Sequence, residues 1–258
     1  MLQQMLDFFI YFFSVNPNIL GILLAWLLAL VFVAIWLACY RPPLIAKPWL
    51  WAVLAGGAVL APIAIAITAF PLRYGISWVF GSIWSQETLE QWTLLASLPS
   101  MYLVGLVREG FKLIPVVVYW WRSGRDIDPK LGLAAGAVSG AGFGILESQW
   151  TLNYLFASGW SWENVQMYGI IALGGFWETF FVVGIQIASC ALAGWGLAKG
   201  WGWQFYLLAA FVYFFPSYSY VLISKELITG MQAEFFIAAW ALIATAVVFW
   251  LRERKSKA

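Results

Sequence analysis

The sequence contains no histidine. That absence excludes zinc held by imidazole, Ser-His-Asp and Cys-His catalysis, His-ligated haem, and any pH switch built on an imidazole. There are two cysteines, Cys39 and Cys190, both inside apolar runs, so a disulfide framework is not expected and neither spacing reads as a metal site. Charge is scarce as well. Only 10% of the 258 residues are charged while 63% are hydrophobic, too small a polar inventory to cover a water-soluble globule of this size. The net charge of +2 gives no basis for binding nucleic acid. The start lacks the basic region and A-x-A-like site of a cleaved leader, so the first apolar segment is expected to stay in the mature chain.

What the chain does have is length in apolar runs. A span needs about 20 mainly apolar residues to cross about 30 Å of hydrocarbon, and seven segments qualify: Asn18 to Tyr40, Pro48 to Leu72, Trp92 to Trp121, Leu131 to Ala157, Val165 to Ala198, Trp203 to Ile223 and Met231 to Leu251. The expected fold is all-α, a polytopic helical bundle in the lipid bilayer. The 18 Trp, 11 Tyr and 20 Phe suit the two interfaces of such a bundle. Met1 to Phe13 is apolar but short and is broken from the first span by Asn16-Pro17-Asn18, which makes residues 1–17 an interfacial segment, 18–251 a single membrane domain and 252–258 a basic tail.

The basic residues orient the bundle. Ten of them fall on one side: Arg41 and Lys47, then Arg122, Arg125 and Lys130, then Lys199, then Arg252, Arg254, Lys255 and Lys257. Arg73 and Lys225 alone fall on the other. Positive charge stays inside, so the N-terminus is expected outside and the C-terminus in the cytoplasm. Seven spans invite comparison with retinal proteins, but the last span has no lysine for a Schiff base.

Three carboxylates sit within spans: Glu109, Glu147 and Glu178. An ionisable group near the bilayer centre costs roughly 2.5 kcal/mol or more on insertion scales, which marks each as a candidate site. Counted from the cytoplasmic ends they lie about 18, 24 and 30 Å deep, so three helices can bring them to one cavity. Arg108 and Lys112 share the third span, with Lys112 placed for an internal ion pair with Glu109. Gly132, Gly136, Gly140 and Gly144 form a small-residue stripe on the fourth span that admits a neighbouring backbone and is expected to place Glu147 on the most tightly packed face. Two readings are open for the glutamates: a structural polar network with Arg108, Lys112, Gln149, Asn153 and Gln186, or a catalytic or ion-handling site.

Arg108-Glu109-Gly110-Phe111-Lys112 resembles the E-E-x-x-K/R motif of the PrsW and YhfC intramembrane proteases, within the CAAX-prenyl-protease-like membrane peptidases. Gly140-Ala141-Gly142-Phe143-Gly144-Ile145-Leu146-Glu147 is similar to their G-x-G-F/H-x-x-x-E motif, and Glu178-Thr179 through Gln186 to a YhfC segment that ends in histidine. The likeness runs from about Tyr102 to Ile223. It implies a catalytic set of Glu109, Glu147 and Glu178 beside Arg108, Lys112, Gln186 and Phe143, and a prokaryotic plasma membrane. It also exposes departures. The first glutamate of the pair is Arg108, the helix-five histidine is Gln186, and the helix-six histidine falls in Phe211 to Pro216, where none exists. With no metal or other cofactor expected, the likeness implies a histidine-less, non-catalytic relative that binds transmembrane segments or joins a membrane complex. An active glutamic-type endopeptidase and an ion-coupled transporter are the alternatives. Inverted repeats with interrupted helices would mark the transporter, and the two halves of the sequence do not match.

Overall fold

The computed structural model describes Val15 and Pro17 to Glu253. Most of the interfacial segment expected over residues 1–17 and most of the basic tail lie outside the described residues. All regular structure among them is helical: α1 (Ile19–Tyr40), α2 (Trp49–Pro62), a π-helical stretch (Ile63–Ala69), α3 (Phe70–Ile83), α4 (Gln86–Gln91), α5 (Thr93–Arg122), α6 (Pro129–Ala157), α7 (Trp162–Tyr168), a 3₁₀ turn (Gly169–Leu173), α8 (Gly174–Ala198), α9 (Gly202–Ser224) and α10 (Gly230–Glu253).

Local sequence sets the ends. The Asn18 side chain accepts from the Gly21 N–H at 2.8 Å to start α1, and Arg41 closes it in a left-handed conformation just before Pro42-Pro43. Asp128 accepts from the amides of Lys130 and Leu131, with Pro129 in the first turn of α6. Pro62 and Pro71 bracket the π-helical stretch, where two missing N–H donors favour a wider turn.

Six helical stretches are long and apolar enough to cross a membrane: Ile19–Tyr40, Trp49–Ile83, Pro129–Ala157, Trp162–Ala198, Gly202–Ser224 and Gly230–Glu253. The protein is therefore a polytopic helical membrane protein. The expected third span corresponds to α5, a helix of 30 residues that is not among these six, because Arg108, Glu109 and Lys112 at its middle lower its apolarity. Two boundaries differ from expectation. The second span does not end at Leu72 but runs on to Ile83, because the π turn absorbs the prolines without breaking the rod. The fifth is not one helix from Val165; it is interrupted by the 3₁₀ turn, and its bundled part begins at Gly174.

Packing centres on α6 and α8, whose faces are buried over most of their length. Lipid is as apolar as leucine, so such contact depends on how closely backbones approach. Cβ atoms added at Gly132, Gly136 and Gly140 would stand 2.6, 2.2 and 2.4 Å from the carbonyl oxygens of Gly194, Cys190 and Gln186. On the opposite side Gly142 meets the Leu54 carbonyl equally tightly, seating α2. The fourth member of the stripe behaves differently: the nearest atom to a Cβ at Gly144 would be 3.7 Å away, on Val183. The expectation that Glu147 lies on the tightest face is thereby corrected. The helices part at Gly144, one turn before the carboxylate. Helix α5 closes the bundle between α2 and α9, tied by Tyr206 Oη donating to the Leu106 carbonyl at 2.7 Å and Tyr218 Oη donating to that of Leu94 at 2.8 Å.

Candidate functional site

Consecutive residues on a helix project about 100° apart, and this divides the Arg108-Glu109 pair. Glu109 turns with Lys112 toward α8, and both side chains have no accessible surface. Lys112 Nζ donates to Glu109 Oε1, to Gln186 Oε1 and to Ser189 Oγ, the last at 3.1 Å, so its three donors all have acceptors. Ser189 Oγ lies 2.9 Å from Glu109 Oε1 as donor. The ion pair expected within α5 is present.

Arg108 precedes Lys112 by four residues and so lies one turn away on nearly the same face. Its Nη2 donates to Glu147 Oε1, while Gln186 Nε2 donates to Glu147 Oε2, so both oxygens of Glu147 are engaged. The guanidinium lies 4.5 Å from the ring centre of Tyr213 and 5.4 Å from that of Phe143. The Lys112 ammonium lies 5.3 and 5.6 Å from the same two rings. Gln186 is the link: its carbonyl receives Lys112 and its amide serves Glu147. Two cations and two anions thus form one connected and formally neutral network, the form in which buried charge is tolerated away from water.

A cavity of about 250 Å³ adjoins this network, lined by Arg108, Glu147, Gln186, Tyr213, Glu178 and Tyr220 among others. Glu178 is partly buried and accepts from Tyr220 Oη. The three glutamates do not share a cavity as the depth estimate suggested. Glu147 and Glu178 do; Glu109 has no accessible surface and is enclosed with Lys112 and Ser189 where α5 meets α8. Asn153, expected in the network, lies outside it with Oδ1 unpaired. Three participants were not legible beforehand. Tyr213 stands in the α9 stretch where the resemblance expects histidine, Tyr220 holds Glu178, and Ser189 bridges Lys112 and Glu109. A tyrosine or serine in an apolar span carries no signal of its own.

The chain matches the model of the family described as PrsW family intramembrane metalloprotease over residues 46–182. No curated protein and no solved structure matches it. The matched stretch takes in Arg108, Glu109, Phe143, Glu147 and Glu178 and stops before Gln186 and Tyr213. A metalloprotease description implies a metal, and the residues here do not fit one. Glu147 has both oxygens committed, a guanidinium and an ammonium would repel a divalent ion, and no three potential ligands converge among the described residues. Fold, motif positions and a match covering just over half of the sequence agree that this chain belongs to the PrsW family of membrane peptidases.

Proposed function

We propose that this PrsW-family protein is a non-catalytic member that holds transmembrane segments of other membrane proteins in a prokaryotic plasma membrane. One observation carries the reading: Arg108 and Gln186 together occupy both oxygens of Glu147. Peptide hydrolysis needs a group that can take a proton from water within hydrogen-bond reach. Glu147 is spent on its own cation, Glu109 is sealed with Lys112, and the amide of Gln186 cannot accept a proton. The segment-holding role is supported by a groove of about 830 Å³ beside the network, bounded by α3 and α5.

One observation favours a second reading. Glu178 and Glu147 face one cavity, and two carboxylates sharing a proton are a histidine-free route to hydrolysis. Incubating the purified protein in liposomes with single-span peptides, and searching for fragments by mass spectrometry, separates the two. The expected result is no fragment beyond those formed with Glu147→Gln, a variant whose amide retains a hydrogen-bonding partner for Arg108. Fragments that vanish in both Glu147→Gln and Glu178→Gln, while thermal stability is retained, would establish the active enzyme instead.

A further inference from the structure

The two carboxylates on the 250 Å³ cavity are not equivalent. Side chains on a helix lean toward its N-terminus, and α6 and α8 run antiparallel, so Glu147 and Glu178 lean in opposite directions along the bundle. Glu147 meets Arg108 and Gln186, whereas Glu178 meets Tyr220. Tyr213, against which the Arg108 guanidinium lies, is seven residues from Tyr220 on α9, a separation of about 10 Å. Arg108 and Glu178 therefore occupy different ends of the cavity. At one end Glu147 is neutralised. At the other, Glu178 is in no ion pair among the described residues. Lys225, the basic residue that follows α9, donates to the Glu90 carbonyl at 3.1 Å.

The walls around Glu178 offer acceptors. Ser148, Thr151, Thr179 and Ser217 line the cavity, and each donates its hydroxyl proton to a carbonyl of its own helix. Tyr220 gives its proton to Glu178. What these oxygens have left is lone pairs. A carboxylate without a cation, among hydroxyls with no proton to spare, is complemented by a cation that donates several hydrogen bonds. One Glu178 oxygen already accepts from Tyr220, so the planar fork of a guanidinium finds only half of its partner; a compact ammonium with three donors suits what remains. An ethanolamine lipid would bring a phosphate beside its ammonium, and none of these hydroxyls has a proton for it. A lysine brings only methylenes. Access is from the bilayer, because Tyr220 is 48% exposed. Glu178 lies four residues from the start of α8 and Tyr220 four from the end of α9, about 6 Å inside both.

We propose that this cavity receives the ammonium of a lysine carried by a transmembrane segment of another protein, about one turn inside the segment's end, with Glu178 as its counter-ion. The inference rests on the reading of this protein as a holder of transmembrane segments and names the residue by which a segment is held. A lysine is costly inside lipid and a carboxylate beside it lowers that cost, so the lysine selects the segment. Its flexible four-carbon stem carries the charge from the segment's backbone into the cavity.

The test uses the full chain in phosphatidylcholine nanodiscs and dye-labelled apolar spans of about 23 residues. The spans carry lysine, arginine or the uncharged isostere norleucine one turn from one end, and affinity is read by fluorescence. The lysine span is expected to bind at least tenfold more tightly than either of the others. Glu178→Gln, whose carbonyl still accepts from Tyr220, should bring the lysine span to the norleucine value at an unchanged melting temperature. Glu178→Asp keeps the charge and should keep a preference for lysine, as should nanodiscs that contain phosphatidylethanolamine. Equal affinities for the lysine and norleucine spans overturn the lysine site and leave the segment-holding reading in place. A lysine preference that survives Glu178→Gln, or an arginine span that binds as tightly as the lysine span, overturns it too. Loss of the preference in ethanolamine nanodiscs assigns the cavity to lipid instead. Binding by none of the spans overturns the segment-holding reading together with the site.

Discussion

Lys112→Ala is expected to cost about 3–5 kcal/mol, enough to leave little folded protein. The lysine has no accessible surface, its three donors serve Glu109, Gln186 and Ser189, and Glu109 is equally inaccessible. Removing the ammonium leaves an uncompensated carboxylate inside a helix bundle, and such a charge costs more than the intact pair contributes. Glu109 already has one oxygen without a partner. The asymmetry supplies the control. Lys112→Met combined with Glu109→Gln removes both charges and keeps most of the volume, and should recover most of the loss, since apolar replacement of a buried pair is often neutral. Thermal denaturation in detergent, followed by size-exclusion recovery, measures both variants. A Lys112→Ala protein as stable as the parent would show that the pair is solvated in the membrane. A double variant no better than the single one would show that Gln186 and Ser189 depend on Lys112 for more than charge balance.

Gly136→Leu should be the most damaging single change in the packing. Even the Cβ of such a side chain would lie 2.2 Å from the Cys190 carbonyl oxygen and 2.9 Å from the Cα of Ala191. Those are backbone atoms of α8, which no side-chain rotation moves aside. The two central helices would have to separate, and with them the α8 residues Gln186 and Ser189 would leave Lys112. Overpacking by even small groups costs about 1–3 kcal/mol, so Gly136→Ala should already lower thermal stability measurably and Gly136→Leu should yield no monodisperse protein. Gly144→Ala is the matched control from the same stripe. Its Cβ would enter ordinary contact at 3.7 Å, and the variant should keep the parent's melting temperature within a few degrees. Loss of both variants alike would mean that the whole stripe is a helix contact.

These two residues illustrate how far the sequence could be read. The ion pair between Glu109 and Lys112 follows from their three-residue spacing on one helix, and the glycine stripe announces close backbone approach through its own four-residue period. Spacing within one helix fixes relative direction, so the pair within α5 came through, whereas where the close approach along α6 ends depends on its neighbour α8. The expectation of one cavity for Glu109, Glu147 and Glu178 required three helices to be rotated correctly about their axes. Depth along a helix can be counted from its ends, but rotation is set by which face meets which neighbour. For α5 that is decided by Tyr206, Tyr218 and the approach of α9, none of which a motif records. The role of Gln186 was partly visible as a departure from a histidine. Its double duty, carbonyl to Lys112 and amide to Glu147, depends on α5, α6 and α8 meeting within one side chain's reach.

By itself the sequence determined that the chain is a helical membrane protein, where most of its spans begin and end, and that imidazole chemistry is closed to it. Those properties are additive along the chain: apolar length, capping residues and the absence of a residue type need no partner to be evaluated. Only the tertiary structure decided that Arg108 and Glu147 neutralise each other, that Glu109 is sealed apart from the other glutamates, and that the C-terminal half of the second span is left without a buried residue beside a groove. Each of these depends on side chains from different helices arriving at one point. The physical reason is that charge burial is settled pair by pair at a few ångströms, a scale fixed by interhelical packing and not by position along the sequence.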